Sequence, residues 1–414
     1  MQLPEGYIRY TRTMMGEDLF ARYLHGLEGE SPVSIRLNPL KTAGYTVADS
    51  DGQVAWCADG YYLQSRPNFT FDPLLHAGCY YVQEAASMFL DTVLRQHLPP
   101  HPVTMLDLCA APGGKSTLAR AALPEGSVLY ANEPVRQRAH ILSENMTKWG
   151  WPDCIVTNNY PRDYRHSKLL FDVILCDVPC SGEGMFRKDP ATIGEWSVQN
   201  VERCWQLQRD IVSDIWGNLR DGGLLIYSTC TFNTKENEEN IRWLLHEFAD
   251  AEVLPVATQA EWNITGSLLD GFNEPVYRFI PGVSRGEGLF VCVLHKSLHI
   301  EEDTEGIRGD KREGRGRSST SKSSPLNTLL SPLSSQPSLP DTPLTYPQAL
   351  AYLRGEALVL PPSTPRGIVT VSFEGHPLGT VKNIGTRANN LYPKEWRIKT
   401  THIPTEYEAI LRHT

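Results

Sequence analysis

Between residues 103 and 296, short apolar runs alternate with longer mixed stretches, and this alternation narrows the available folds more than any other feature. VTMLDLC, SVLYANE, CIVTN, FDVILCD and GGLLIYS have the length of strands and few polar positions. KSTLARAAL, RQRAHILSENMTKW and VQNVERCWQLQRDIVSDIWGNL have the length of helices. Strands apolar on both faces and separated by helices predict a parallel sheet covered on both sides. YRFIPGVSRGEGLFVCVLHK places a glycine-bearing turn between two further strands, which predicts a hairpin at the sheet edge.

The flanks differ in character. Residues 1–100 form a smaller mixed module, with SIRLNP and YYLQS as strands and AASMFLDTVL as a helix. Across residues 297–342, Ser, Pro, Gly and clustered charges replace any apolar pattern, as expected of a flexible linker. Its basic cluster (Lys311, Arg312, Arg315, Arg317) is either a phosphate contact or a solvated tether. Residues 343–414 are compact again. TYPQALAYLRG predicts a helix ending at Gly355, and GIVTVSFEGHPLGTVKNIG a hairpin turning at Glu374–Gly375. Here Lys382, Arg387, Lys394, Arg397 and Lys399 interleave with Tyr392 and Trp396, a mixture suited to RNA phosphates and stacked bases or to an ordinary solvated face.

Charge argues the other way. The 414 residues carry a net charge of −9, whereas nucleic-acid binders usually have a basic footprint. A local basic cleft can coexist with an acidic exterior. Nine cysteines lack framework spacing, and several fall in apolar runs. They read as reduced thiols of a cytoplasmic protein. No run approaches the roughly 18 apolar residues of a membrane span, and the N-terminus lacks a secretory pattern.

LDLCAAPGGKS, residues 106–116, passes from strand to helix. Gly113 and Gly114 allow close backbone approach to a ligand, and the helix start offers free N–H donors. A phosphate loop would need glycine where Cys109 stands, and G-x-G-x-x-G is absent. Glu133 closes the next strand, where an acidic side chain grips a ribose diol or, alternatively, caps the following helix. Together these features predict a nucleoside cofactor without a required pyrophosphate, which S-adenosylmethionine satisfies.

Asp177, Pro179 and Cys180 follow the strand FDVILC, and Cys230 follows GGLLIYST. Ligands of open α/β sheets lie beyond the carboxyl ends of strands, so both thiols should face the cofactor. Cys176 reads as core, and Cys57, Cys79, Cys154, Cys204 and Cys292 as structural. No second Cys/His pair completes a zinc set with Cys176 and Cys180, and no C-x-x-C pair exists for redox chemistry. Methylation of carbon 5 of a pyrimidine accounts for two thiols better. A thiolate adding to carbon 6 makes carbon 5 nucleophilic, and elimination then releases the product. Asp177 is placed to donate a hydrogen bond or proton at ring nitrogen 3.

LDLCAAPGGKS, LCDVPCSGEGMFRKDP and YSTCTFNTKENEENI resemble the Sun family of RNA cytosine-5 methyltransferases, and SIRLNPLK and YYVQEAASM resemble its N-terminal signatures. The resemblance spans about residues 1–296. The linker and tail are similar to the bacterial RsmF branch, which methylates 16S ribosomal RNA and carries a PUA-like RNA-binding domain. It implies a Rossmann-like class I methyltransferase domain at 101–296, an N-terminal RNA-binding α+β module at 1–100, and a PUA-like domain at 343–414. It also implies that Cys230 attacks carbon 6 and Cys180 assists release, an order that the sequence logic alone leaves open. Residues Cys109, Ala110, Ala111, Pro112, Gly113, Gly114 and Lys115, with Glu133 and Asp177, are implied to bind S-adenosylmethionine. Where the family often has an acidic residue near adenine, this chain has Asn158 and Asn159, of which Asn159 is the expected contact. Arg36, Asn38, Lys41, Arg187 and Lys188 are the candidate RNA contacts. The expected partner is structured RNA, 16S ribosomal RNA or the small subunit, for a monomeric enzyme. The alternatives are a transfer RNA substrate, or a non-catalytic RNA-binding assembly factor.

Overall fold

A computed structural model describes residues 1–298, 326–330, 339–400 and 402–414. The alternating segment builds a nine-stranded sheet. From one edge it runs Ala251–Leu254, Leu289–Lys296, Leu219–Thr229, Phe171–Asp177, Thr104–Asp107, Val128–Asn132, Cys154–Thr157 and Thr328–Leu330. The five strands from Leu219–Thr229 to Cys154–Thr157 are mutually parallel. Their near-continuous apolarity has a simple cause. In Phe171–Asp177, Val173 and Leu175 enter the core on one face, while Ile174 and Cys176 enter the core on the other. Helices Gly114–Ala122, Arg136–Trp149, Val198–Ile215 and Glu238–Glu247 supply the cover. Among the described residues, no helix is long and apolar enough to cross a membrane.

Two expectations change at the sheet edges. The hairpin strand Leu289–Lys296 is interior, because Ala251–Leu254 and Tyr277–Phe279 pair along successive parts of its outer edge. Thr328–Leu330, within the segment expected to be a linker, pairs antiparallel with Cys154–Thr157 and extends the opposite edge. The basic cluster Lys311, Arg312, Arg315 and Arg317 lies outside the described residues.

The N-terminal module combines a helix, Glu5–Glu28, with the sheet Ser50–Gln53, Gly60–Leu63, Val33–Leu37 and Tyr80–Val82. The C-terminal module has the sheet Asp341–Pro343, Gly367–Phe373, His376–Asn383 and Ala388–Asn390, with the helix Tyr346–Leu353. Its hairpin turns at Glu374 and Gly375, whose φ values of 47° and 79° form the left-handed pair favoured in two-residue hairpins. The two modules share one apolar core. Ile35, Leu74 and Tyr80 lie in the same cluster as Leu350, Val371 and Leu411. The strand Leu411–His413 also pairs with Tyr45–Val47.

Candidate active site

The strand Thr104–Asp107 ends beneath the glycine turn, and the helix Gly114–Ala122 starts immediately after it. Gly113 has φ 118°, and an added Cβ there would lie 3.3 Å from Leu142, so a side chain is disfavoured twice. Cys109, Ala110, Ala111, Pro112, Gly114 and Lys115 line a cleft of about 270 Å³ that Asp107, Asp177 and Cys230 also line. Asp107 is fully buried; Ser116 Oγ donates to its Oδ2 at 2.6 Å, while its Oδ1 has no partner. Burial pushes its carboxyl up to about 7 against the Ser116 hydrogen bond, and the charge of Asp177 adds to the rise.

Glu133 stands at the helix entry and is not among the residues that line the cleft. Oε1 accepts from the Val135 N–H at 3.0 Å, at the entry to the helix Arg136–Trp149. Oε2 is buried without a hydrogen-bond partner, with Arg138 Nη1 3.4 Å away. An unpartnered buried acceptor at a strand end suits a ribose hydroxyl. Asn159 does not keep its expected role. Its Nδ2 donates to the Asn327 carbonyl at 3.2 Å, and its Oδ1 accepts from the Asn327 N–H at 3.0 Å. Both polar atoms of the amide are engaged in fastening the added edge strand. Asn158 Nδ2 donates to the Glu133 and Pro134 carbonyls.

The thiols meet because their strands are neighbours in register, with Ser228 opposite Asp177. Cys180 Sγ and Cys230 Sγ are 3.2 Å apart, and the Cys230 N–H points at Cys180 Sγ at 3.4 Å. A disulfide would need about 2.05 Å, so both are free thiols. Cys230 lines the cleft, whereas Cys180 is not among its lining residues. The hydrogen bond to Cys230, burial and the nearby charge of Glu236 push the Cys180 thiol well up. Asp177 has both oxygens engaged, Oδ1 by Ser228 Oγ at 2.7 Å and Oδ2 by Lys115 Nζ at 2.8 Å. Burial works against the Lys115 ammonium, but Asp177 outweighs it and raises the lysine pKa.

Three domain descriptions match the chain in order. They are the N-terminal domain of 16S rRNA methyltransferase RsmF at residues 3–85, 16S rRNA methyltransferase RsmB/F at 95–295, and the methyltransferase RsmF PUA domain at 340–398. The chain belongs to the RsmF family. Ribosomal RNA small subunit methyltransferase F of Pectobacterium atrosepticum is 34% identical over 283 residues, covering 64% of this chain and 56% of that protein. The protein of the same name from Escherichia coli O81 is 32% identical over 321 residues, covering 72% and 64%. This chain therefore spans between half and two thirds of the length of these curated relatives. The crystal structure of PH0851 is 25% identical with TM-score 0.62, covering 71% of this chain and 66% of that one. NSun6 from Pyrococcus horikoshii with SFG is 18% identical with TM-score 0.59, covering 71% and 98%, and shares the fold.

The RsmF-type N-terminal module closes the cleft with Tyr81, Gln83 and Glu84. YYVQEAASM carried that signal only as a family signature. Most of the basic residues expected to touch RNA point inward instead. Arg36 is buried, donating to Gln83 at 2.8 Å and Thr117 at 2.6 Å and lying 4.5 Å over the Trp149 ring. It braces the N-terminal sheet against the helix Gly114–Ala122. Asn38 is buried on the Gly78 and Trp149 carbonyls. Lys41 Nζ donates to the Ala77 and Lys148 carbonyls, both at 2.7 Å, the second near the C-terminus of Arg136–Trp149. Arg187 pairs with Glu287 at 3.0 Å and donates to the Gly26 carbonyl at 2.7 Å. Lys188 alone of these is exposed, and it lines the cleft. In the tail, Tyr392 is core and Trp396 is half-buried, while Lys382, Arg387, Lys394 and Lys399 are exposed. That face offers cations without the stacking aromatics expected beside them.

Proposed function

We propose that the protein transfers a methyl group to carbon 5 of a cytosine in 16S ribosomal RNA through a covalent adduct on Cys230. The observation that supports this reading is the pair of thiols 3.2 Å apart, with Cys230 on the cleft wall beside Asp177. The glycine turn and the unpartnered oxygens of Asp107 and Glu133 fit S-adenosylmethionine, which Cys109–Lys115, Glu133 and Asp177 would hold. When bound, it supplies the methyl group.

The chain's own residues account for the rest. Cys230 Sγ adds to carbon 6 and drives electron density toward carbon 5 and the ring nitrogen. Asp177 accepts from the Lys115 ammonium at 2.8 Å, takes a proton from it and passes that proton on where charge gathers at nitrogen 3. Loss of the carbon 5 proton to a solvent water then expels the Cys230 sulfur as a thiolate. The raised thiol of Cys180 keeps its proton at neutral pH and has it at hand for that departing sulfur. A cytosine within a helix must flip out to reach the cleft, and Lys188 stands at the rim to meet its phosphate.

The expected outcome is that Cys180→Ala accumulates a protein–RNA adduct stable to denaturing gels, while Cys230→Ala forms none. The reverse pattern exchanges the two roles. Bisulfite mapping of 16S and transfer RNA from cells with and without the gene identifies the modified cytosine. A site lost only from transfer RNA rejects the ribosomal substrate.

A further inference from the structure

Cys180 is the middle residue of Pro179–Cys180–Ser181, and two buried side chains fasten this tripeptide on both sides. Glu236 Oε2 accepts from the Ser181 N–H at 3.0 Å. Gln208 Nε2 donates to the Pro179 carbonyl at 2.9 Å and to the same Glu236 oxygen at 2.7 Å. The two side chains thus form one continuous bracket around the thiol. Gln208 comes from the helix Val198–Ile215, and its Oε1 accepts from Tyr227 Oη and Asn240 Nδ2. Glu236 follows the strand Leu219–Thr229, and its Oε1 accepts from Asn233 Nδ2 at 2.8 Å. Neither residue lines the cleft.

Glu236 and Gln208 are both fully buried. No cation pairs with Glu236 among the described residues, and Glu183 lies near enough to add to the rise that burial gives its carboxyl. Such a carboxylate opposes stability, since an amide or apolar side chain would fill the same space at lower cost. What the carboxylate supplies is a strong acceptor for the Ser181 N–H. Beyond Ser181 the chain turns through Gly182 at φ 77°, with nothing within 4 Å of its Cβ position. The bracket holds the backbone on this side of the loop, and Ser181 Oγ adds a side-chain bond to Thr231 Oγ1 at 2.9 Å.

We propose that Glu236 and Gln208 are positioning residues that hold Cys180 Sγ against Cys230 for the release step. The proposal rests on the reading that Cys180 assists release.

Two measurements on the full chain test it. The first needs no RNA: diamide closes a Cys180–Cys230 disulfide, its N=N bond taking up the two thiol hydrogens as the S–S bond forms. Peptide mass spectrometry follows the rate. Glu236→Ala is expected to slow closure about tenfold or more. Glu236→Gln slows it less, because its amide oxygen still accepts from Ser181. Gln208→Met, which keeps side-chain length and loses the Pro179 contact, covers the case in which Glu236→Ala does not fold. The second measurement uses 16S ribosomal RNA transcribed in vitro with S-adenosylmethionine. The bracket variants should accumulate the covalent adduct seen with Cys180→Ala while forming it at rates within about twofold of the parent. Parental closure rates and prompt release in folded bracket variants overturn the proposal. Slowed closure together with no adduct in Cys180→Ala instead removes the release reading and leaves the positioning role standing.

Discussion

The rim of the cleft and the seam beneath the N-terminal sheet both concentrate charged residues, yet they use them in opposite ways. At the rim, Lys115 and Asp177 satisfy each other beside Cys230, and all three still line open space. In the seam, Arg36 and Lys41 are consumed by internal acceptors, and Asp72 is buried against Leu74, Tyr80 and Tyr407. The difference teaches that a residue type at a given spacing identifies chemistry only where something holds it toward a cavity. Elsewhere the same residue type is mortar.

The sharpest challenge to this contrast is Arg36→Ala. Losing two buried hydrogen bonds and the Trp149 stack should cost about 3 kcal/mol of stability, read by thermal or denaturant unfolding. RNA affinity per folded molecule should not change; lost affinity at parental stability would return Arg36 to the RNA surface.

Asp72 gives a somewhat smaller effect with a defined pH window. Burial raises its folded pKa from 3.8 to about 6. A folded pKa above the unfolded value means a contribution fully present below about pH 4 and lost as pH rises through about 6. Of the change in stability between pH 4.5 and 7.5, about 2 kcal/mol should disappear in Asp72→Asn, compared by unfolding at both values. An unaltered pH dependence would mean that Asp72 titrates normally.

Lys188→Ala should produce the smallest change. It should weaken RNA binding a few-fold and reduce the salt slope by about one, with stability unchanged within about 0.5 kcal/mol. An unchanged slope would remove the last of the named basic residues from the RNA path.

Much of the fold was legible because the parallel strands are apolar on both faces and the turns carry glycine where φ must be positive. The thiol pair was legible from strand ends, but that Cys230 rather than Cys180 lines the cleft depends on the three-dimensional register. The helix Glu5–Glu28 was not read, because Gly16, at φ 72°, kinks it and shifts the buried face part-way along. Asn159 was misread because its partner lies 168 residues away in a strand with no local signal. Arg36 failed for the same reason, since Thr117, 81 residues distant, decides its burial. The bracket around Cys180 had a visible trace in the polar run NTKENEEN, but polarity alone did not say that Glu236 faces inward.

The core shared by the two terminal modules bears on how the chain can be shortened. A cut before residue 343 removes most of one apolar core, uncovering Ile35, Leu74 and Tyr80. Aggregation, rather than a trimmed but working catalyst, is the expected product. RNA contacts of the tail are better dissected one exposed lysine at a time than by truncation.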